Sequence, residues 1–231
     1  MTYILTLVIL CVLYALCVHL MKYMAHRRFW NGLFMVSVYV PYVIGAMIIY
    51  ADVGCLDWNF QNVLPVANVS PFMFSLMPIL FFLPQKVKKH IYLLISLLSV
   101  GMFLAAVAGC LYNASIHYRF HFHFVLDYIA HLFLSLFGVY LVRSGQVELR
   151  IKNCLISGSL ILGVATVMML LNVVFDTAFF GLSLNGKHSI YNIVLVENSY
   201  LSALIYYMGL SCVLLLGYLY SRCVNKKCIV V

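Results

Sequence analysis

The chain has 231 residues, of which 65% are hydrophobic and only 9% are charged. Soluble domains are about half apolar and about a quarter charged, so this composition excludes a soluble globular protein, a disordered chain and a nucleic-acid-binding protein with a basic surface. The formal net charge is +8, which in such an apolar chain is typical of the cytoplasmic edges of a membrane protein. We therefore predict one all-α polytopic membrane domain over residues 1–231.

Seven segments are apolar over a length that meets or approaches the roughly 20 residues of a membrane-spanning helix. In chain order they are Thr2–Met21, Phe29–Tyr50, Val66–Leu83, Ile91–Leu111, Phe122–Val142, Cys154–Phe175 and Tyr200–Tyr220. The third segment is short and contains Pro71 and Pro78, which free backbone carbonyls that can line a cavity or simply kink the helix. The sequence therefore predicts a bundle of about seven transmembrane helices.

The distribution of Lys and Arg predicts how this bundle is oriented. If the N-terminus faces outside, only Arg119 and Lys187 fall in outer connections, and the other basic residues fall on the inner side. Cytoplasmic connections carry the excess of Lys and Arg. We expect an external N-terminus and a cytoplasmic C-terminus in the plasma membrane of a bacterium or an endomembrane of a eukaryote.

The fifth predicted helix carries three ionisable residues, which are costly within a bilayer and are functional candidates for that reason. His123, Asp127 and His131 follow one another at intervals of four residues, so they form one stripe along the helix. A carboxylate one turn from an imidazole can fix its tautomer and raise its basicity. We predict Asp127 and His131 to be a catalytic pair, with His131 as a general base or proton relay. The alternative is a purely structural pair.

Other polar residues are predicted to gather in the outer half of the bundle, where they suggest a cavity that opens outward. The candidates for binding a substrate are Asn68, Ser70, His123, Asn172, Asp176 and Asn192. The alternative is that these groups only form hydrogen bonds between neighbouring helices. No compact metal-ligand motif is present, so neither a metal nor another cofactor is predicted. Cys55 and Cys110 both fall near the outer face and either pair or remain small buried side chains.

Three stretches resemble the YwaF-like integral membrane proteins, which are similar to the transmembrane protein 164 acyltransferase family. The stretch Leu64–Phe72 resembles the entry to that family's central helix, Phe124–Leu141 resembles its histidine-bearing helix, and Asn172–Tyr207 resembles its last loop and span. The resemblance implies a seven-helix bundle and acyl transfer between lipids through a Cys and a His. Only the histidine has a counterpart, His131, because residues 65–69 contain neither a His nor a Cys.

Three classes of function remain open. In a lipid acyltransferase or hydrolase, His131 would activate water or a substrate hydroxyl directly, Asp127 would orient it, and Asn68, Asn172 and Asn192 would hold the substrate or an oxyanion. In a transporter or binding subunit for a small molecule or ion, the same pair would be a protonation switch. In a non-catalytic scaffold it would be structural. Membrane lipids are the expected partners, with another membrane protein or a second copy of the chain as further possibilities.

Overall fold

A computed structural model describes residues 2–24, 26–54, 64, 68–116, 121–175 and 199–226. Within these ranges the regular structure is helical, apart from turns and short connections. The helices are α1 (Thr2–Leu20), α2 (Arg27–Val53), α3 (Val69–Ile79), α4 (Gln85–Ile116), α5 (Phe122–Arg143), α6 (Ile151–Phe175) and α7 (Ser199–Lys226), and a short 3-10 turn (Met21–Tyr23) follows α1. The prediction of an all-α chain is confirmed for the described residues, and each of the seven predicted segments overlaps one helix.

Six of these helices, all except α3, are long and apolar enough to cross a membrane. Their outer surfaces carry large exposed apolar side chains, for example Leu5, Leu160 and Leu216. A soluble protein rarely exposes so continuous an apolar surface, whereas lipid tails solvate it. The protein is therefore an integral, multi-pass membrane protein, as predicted.

Helix α3 is shorter than the predicted span Val66–Leu83. It begins after Asn68, whose backbone is extended and whose side-chain oxygen accepts a hydrogen bond of 2.9 Å from the Val69 amide. It ends at Ile79, where turns lead to Pro84, a residue type that disfavours helical backbone just before it. Eleven residues extend over about 16 Å, which is about half of the hydrocarbon core.

Helix α5 lies at the centre of the bundle and packs against α1, α2 and α4. Against α4 it is antiparallel, because Tyr128 lies beside Gly109 and Gly138 lies beside Ser96. Against α2 it is also antiparallel, since Phe34 stacks on Phe137 with ring centroids 5.6 Å apart and the start of α5 reaches the C-terminal half of α2 at Gly45. Helices α2 and α4 therefore run in the same direction.

Helix α1 runs parallel to α5. The Tyr14 hydroxyl lies 3.0 Å from Ser135 Oγ, and the Arg143 guanidinium donates to the carbonyl of Val18. We call the end of the bundle at the N-terminal ends of α1 and α5 the outer end, following the orientation that Lys and Arg predict, and the opposite end the inner end. The sidedness itself remains a prediction.

The directions of the last two helices follow from their contacts with α4. At the inner end, His90 of α4 lies 3.3 Å from Ser157, near the start of α6. Gly217, near the end of α7, lies against the backbone of Leu97 in α4. Helix α6 therefore runs outward and α7 runs inward, so the chain segment that contains α3 must return the chain from the outer end to the inner end. The short helix supplies the seventh pass that an odd number of crossings requires.

The close packing of α4 against α5 can be tested by substitution at Gly138. A Cβ at Gly138 would lie 2.8 Å from both the Ile95 carbonyl oxygen and Ser99 Cβ, so Gly138→Ala is expected to destabilise the protein by about 1–3 kcal/mol through overpacking. The matched control is Gly163→Ala, because a Cβ there meets nothing within 4 Å. Thermal unfolding in detergent measures both. Equal unfolding temperatures for Gly138→Ala and the unsubstituted protein would contradict the close packing.

Candidate functional site

The centre of the candidate site is the Asp127–His131 pair on α5. His131 Nδ1 lies 2.8 Å from the main-chain carbonyl oxygen of Asp127 and 3.4 Å from its carboxylate Oδ1. Both neighbours of Nδ1 are acceptors, so the hydrogen-bond pattern assigns the proton of a neutral imidazole to Nδ1. The four-residue spacing thus produces the pairing that the sequence predicts, with the main chain as a second acceptor.

The tautomer leaves the other ring nitrogen, Nε2, as the basic atom of His131. Within the described part of the chain, the hydrogen bonds of this side chain all involve Nδ1. The His131 side chain is 9% exposed, whereas the Asp127 side chain is 49% exposed. A buried imidazole with one nitrogen held and the other carrying an available lone pair is the arrangement that a general base requires.

Helix α3 contacts this pair through Phe74. The Phe74 and His131 rings meet edge to face, with centroids 5.0 Å apart and an interplanar angle of 89°. Because α3 and α5 both run inward, Ser70 lies one turn outward from Phe74, just as Asp127 lies one turn outward from His131. The fold therefore places the start of α3, with Asn68 and Ser70, at the level of the Asp127 carboxylate.

The exposed carboxylate lies within the depth of the membrane. Asp127 is the sixth residue of α5, which begins at Phe122, so it lies about 8 Å below the outer end at about 1.5 Å per residue. A charged carboxylate facing hydrocarbon is expensive, and such groups usually face the bundle interior or a water-filled cavity. We therefore expect water from the outer side to reach Asp127.

The inner half of α5 is closed by packing. Leu134, Phe137 and Leu141 are fully buried, and the segment between His131 and Arg143 contains no ionisable side chain except the Tyr140 phenol. Ser135 at this level pairs with Tyr14. The described residues therefore seal the site toward the inner end.

A separate groove lies beside this site. It has a volume of about 420 Å³ and is lined by Tyr39, Tyr42, Val43, Ala46, Met47 and Tyr50 of α2 and by Ser75 of α3. Phe74 contacts both regions, since its ring centroid lies 5.5 Å from that of Tyr42 as well as 5.0 Å from that of His131. Sequence reasoning missed these residues, because aromatic residues of a membrane helix give no sign of which ones line a groove.

The other predicted site residues are distributed unevenly. The His123 ring packs on Phe124 and His121 at the outer end of α5, at centroid distances of 4.2 Å and 5.5 Å. Asn172 is buried on α6, and α6 packs mainly on α4 and α7. Asp176 and Asn192 lie outside the described residues.

Two further sequence expectations concern a metal site and the cysteines. Among the described residues, no group of three or more His, Cys, Asp or Glu side chains is arranged to hold a metal ion. Cys110 is buried, with its thiol 3.6 Å from the carbonyl oxygen of Tyr3. Its predicted alternative partner, Cys55, lies outside the described residues.

No family model, no curated protein and no solved structure matches the chain. The class that the fold defines is a multi-pass helical membrane protein. Any more specific function has to be inferred from the residues of its polar site.

Access of water to Asp127 can be tested by cysteine substitution. Asp127→Cys is expected to react with a charged, water-soluble thiol reagent added to the outer side, because the side chain is half exposed. Ser135→Cys is the matched buried control on the same helix. Mass spectrometry of the α5 peptide separates these positions from the native cysteines. Equal protection of both positions would show that Asp127 faces lipid or protein rather than water.

Proposed function

We propose that the protein is a membrane-embedded enzyme that transfers or hydrolyses an acyl group of a lipid, with His131 as its general base. The observation that carries this proposal is the geometry of the imidazole, in which Nδ1 is fixed by Asp127 and Nε2 is left as the basic atom. The resemblance to the acyltransferase family, which rests on loose motifs, supports the same class of reaction.

The proposed reaction needs one proton carrier. Nε2 of His131 accepts the proton of water or of a lipid hydroxyl, and the oxygen so activated attacks the carbonyl carbon of a lipid ester. The tetrahedral intermediate then collapses, the ester C–O bond breaks, and the leaving alkoxide takes the proton from Nε2. The direct attack needs no cysteine, which agrees with the absence of Cys from residues 65–69.

Asp127 has two roles in this proposal. Its main-chain carbonyl and its carboxylate hold the tautomer that leaves Nε2 basic, and the carboxylate stabilises the imidazolium that forms during the reaction. A substitution that keeps the shape but removes the charge therefore weakens the second role more than the first.

The start of α3 supplies polar groups for the substrate at the level of Asp127. The Asn68 side-chain oxygen is used by the Val69 amide, which leaves the amide nitrogen of Asn68 as a donor for a developing oxyanion. Ser70 adds a hydroxyl one turn outward from Phe74. His123, one turn outward from Asp127 on α5, is a third candidate from the predicted substrate set.

Transport receives less support from the geometry. A transporter needs a route that continues from the polar pair to the other side, but the fully buried side chains of Leu134, Phe137 and Leu141 fill the space below His131. A purely structural pair receives less support as well, because a carboxylate kept only for packing would not remain half exposed at this depth.

The proposal is tested with purified protein in detergent, an isotope-labelled phospholipid mixture and mass spectrometry of the products. His131→Ala is expected to lower turnover by about 10²–10⁴-fold, the usual contribution of a general base, and Asp127→Asn is expected to lower it by less. The matched control is His90→Ala, because His90 pairs with Ser157 at the inner end and should leave turnover unchanged.

Equal loss in His90→Ala and His131→Ala would indicate a general effect on the fold. Unchanged turnover in a folded His131→Ala variant would remove the base from the mechanism. The absence of any product from the folded, unsubstituted protein would contradict the enzymatic function and favour a structural or proton-sensing role for the pair.

A further inference from the structure

The groove between α2 and α3 is a second site that the proposed mechanism does not use. Its volume of about 420 Å³ lies within the range of about 300–1,000 Å³ that small-molecule sites occupy. Along α2 it extends from Tyr39 to Tyr50, a distance of about 16 Å. Met47 at its rim is 65% exposed, so the groove opens sideways toward the lipid.

The groove has an apolar wall and a polar end. Val43, Ala46 and Met47 form the apolar wall, which suits an acyl chain. At the deep end, Ser75 Oγ lies 3.4 Å from the Tyr42 hydroxyl and 2.8 Å from the Pro71 carbonyl oxygen. Hydroxyl groups of this kind form hydrogen bonds with neutral hydroxyl and ester groups.

Charge and depth define the class of ligand. None of the described lining residues is charged, and phosphate groups are usually bound by Arg, Lys or backbone amides. Tyr42 lies three residues inward from Gly45, which is beside the start of α5, so it lies near the level of Asp127 within the membrane. A phosphate carried to this depth without a cation would lose its hydration without compensation, whereas an uncharged glycerol hydroxyl or ester can reach it.

We infer that this groove binds a neutral acylglycerol, such as a diacylglycerol, with its uncharged polar group at Tyr42 and Ser75. Phe74 is the side chain between this polar end and the catalytic pair, since it contacts both Tyr42 and His131. The inference concerns binding, because the buried Phe74 ring separates a ligand at Tyr42 and Ser75 from His131.

Binding is measured without turnover, using the full chain in phosphatidylcholine nanodiscs. A diacylglycerol with a photoreactive group in one acyl chain is expected to label α2, and labelled peptides are identified by mass spectrometry. A phosphatidylcholine with the same photoreactive chain is the control probe, and it should label the groove far less. Equal labelling of the groove by both probes would overturn the inference, because it would show a general lipid contact.

Two substitutions on one helix form a matched pair. Ala46→Trp fills the groove and is expected to abolish labelling by the diacylglycerol probe. Ile44→Trp adds the same bulk at a position that is 42% exposed and does not line the groove, and it should leave labelling intact. Unchanged labelling in a folded Ala46→Trp variant would overturn the inference. If that variant does not fold, Tyr42→Phe with Ser75→Ala removes the polar end at little change in volume and should lower the labelling severalfold.

The variant His131→Ala separates this inference from the proposed function. It is expected to lose turnover and to keep diacylglycerol labelling. Turnover without groove labelling would refute the acylglycerol site and leave the enzyme. Labelling that depends on Ala46 without any turnover would refute the enzyme and leave the binding site.

Discussion

The packing of α5 against its neighbours is the constraint on which the rest of the structure depends. In lipid, a polar side chain has no water to bind, so a polar stripe must be enclosed by other helices or reached by a cavity. The close approach of α4 at Gly138, where a Cβ would lie 2.8 Å from a backbone oxygen, holds one side of α5. The stacking of Phe34 on Phe137 holds another. His131 is buried because these contacts surround its helix.

The position of α3 determines which part of the Asp127–His131 pair it covers. Phe74 packs against His131 near the middle of the membrane, and the rest of α3 leads from there to the inner end. The helix begins at Val69, one residue before Ser70, so it starts at the level of Asp127, whose side chain is half exposed.

Much of this architecture is predictable from the sequence because it depends on composition and local spacing. Apolar length gives the number of helices, and the four-residue spacing gives the contact between Asp127 and His131. The two ends of α3 were less predictable. The start depends on the Asn68 side chain, which caps the helix, and the end depends on Pro84, and neither residue changes the apolar run between them. The packing of α6 on α4 and α7 depends on which helices are neighbours, and hydropathy carries no information about that order. The groove between α2 and α3 depends on the same packing, and no local pattern in the sequence indicates it.

Phe74 connects the chemistry to the groove. Its ring contacts Tyr42 on one helix and His131 on another, so a ligand that moves this ring changes the surroundings of the basic nitrogen. Such a connection requires a buried aromatic residue on a helix that contacts both elements, and α3 is the helix that packs on both α2 and α5. The half-length helix therefore does more than return the chain to the inner end. It brings the lipid-facing groove and the buried His131 within one side chain of each other, so binding in the proposed lipid site would be coupled to the proposed base through Phe74.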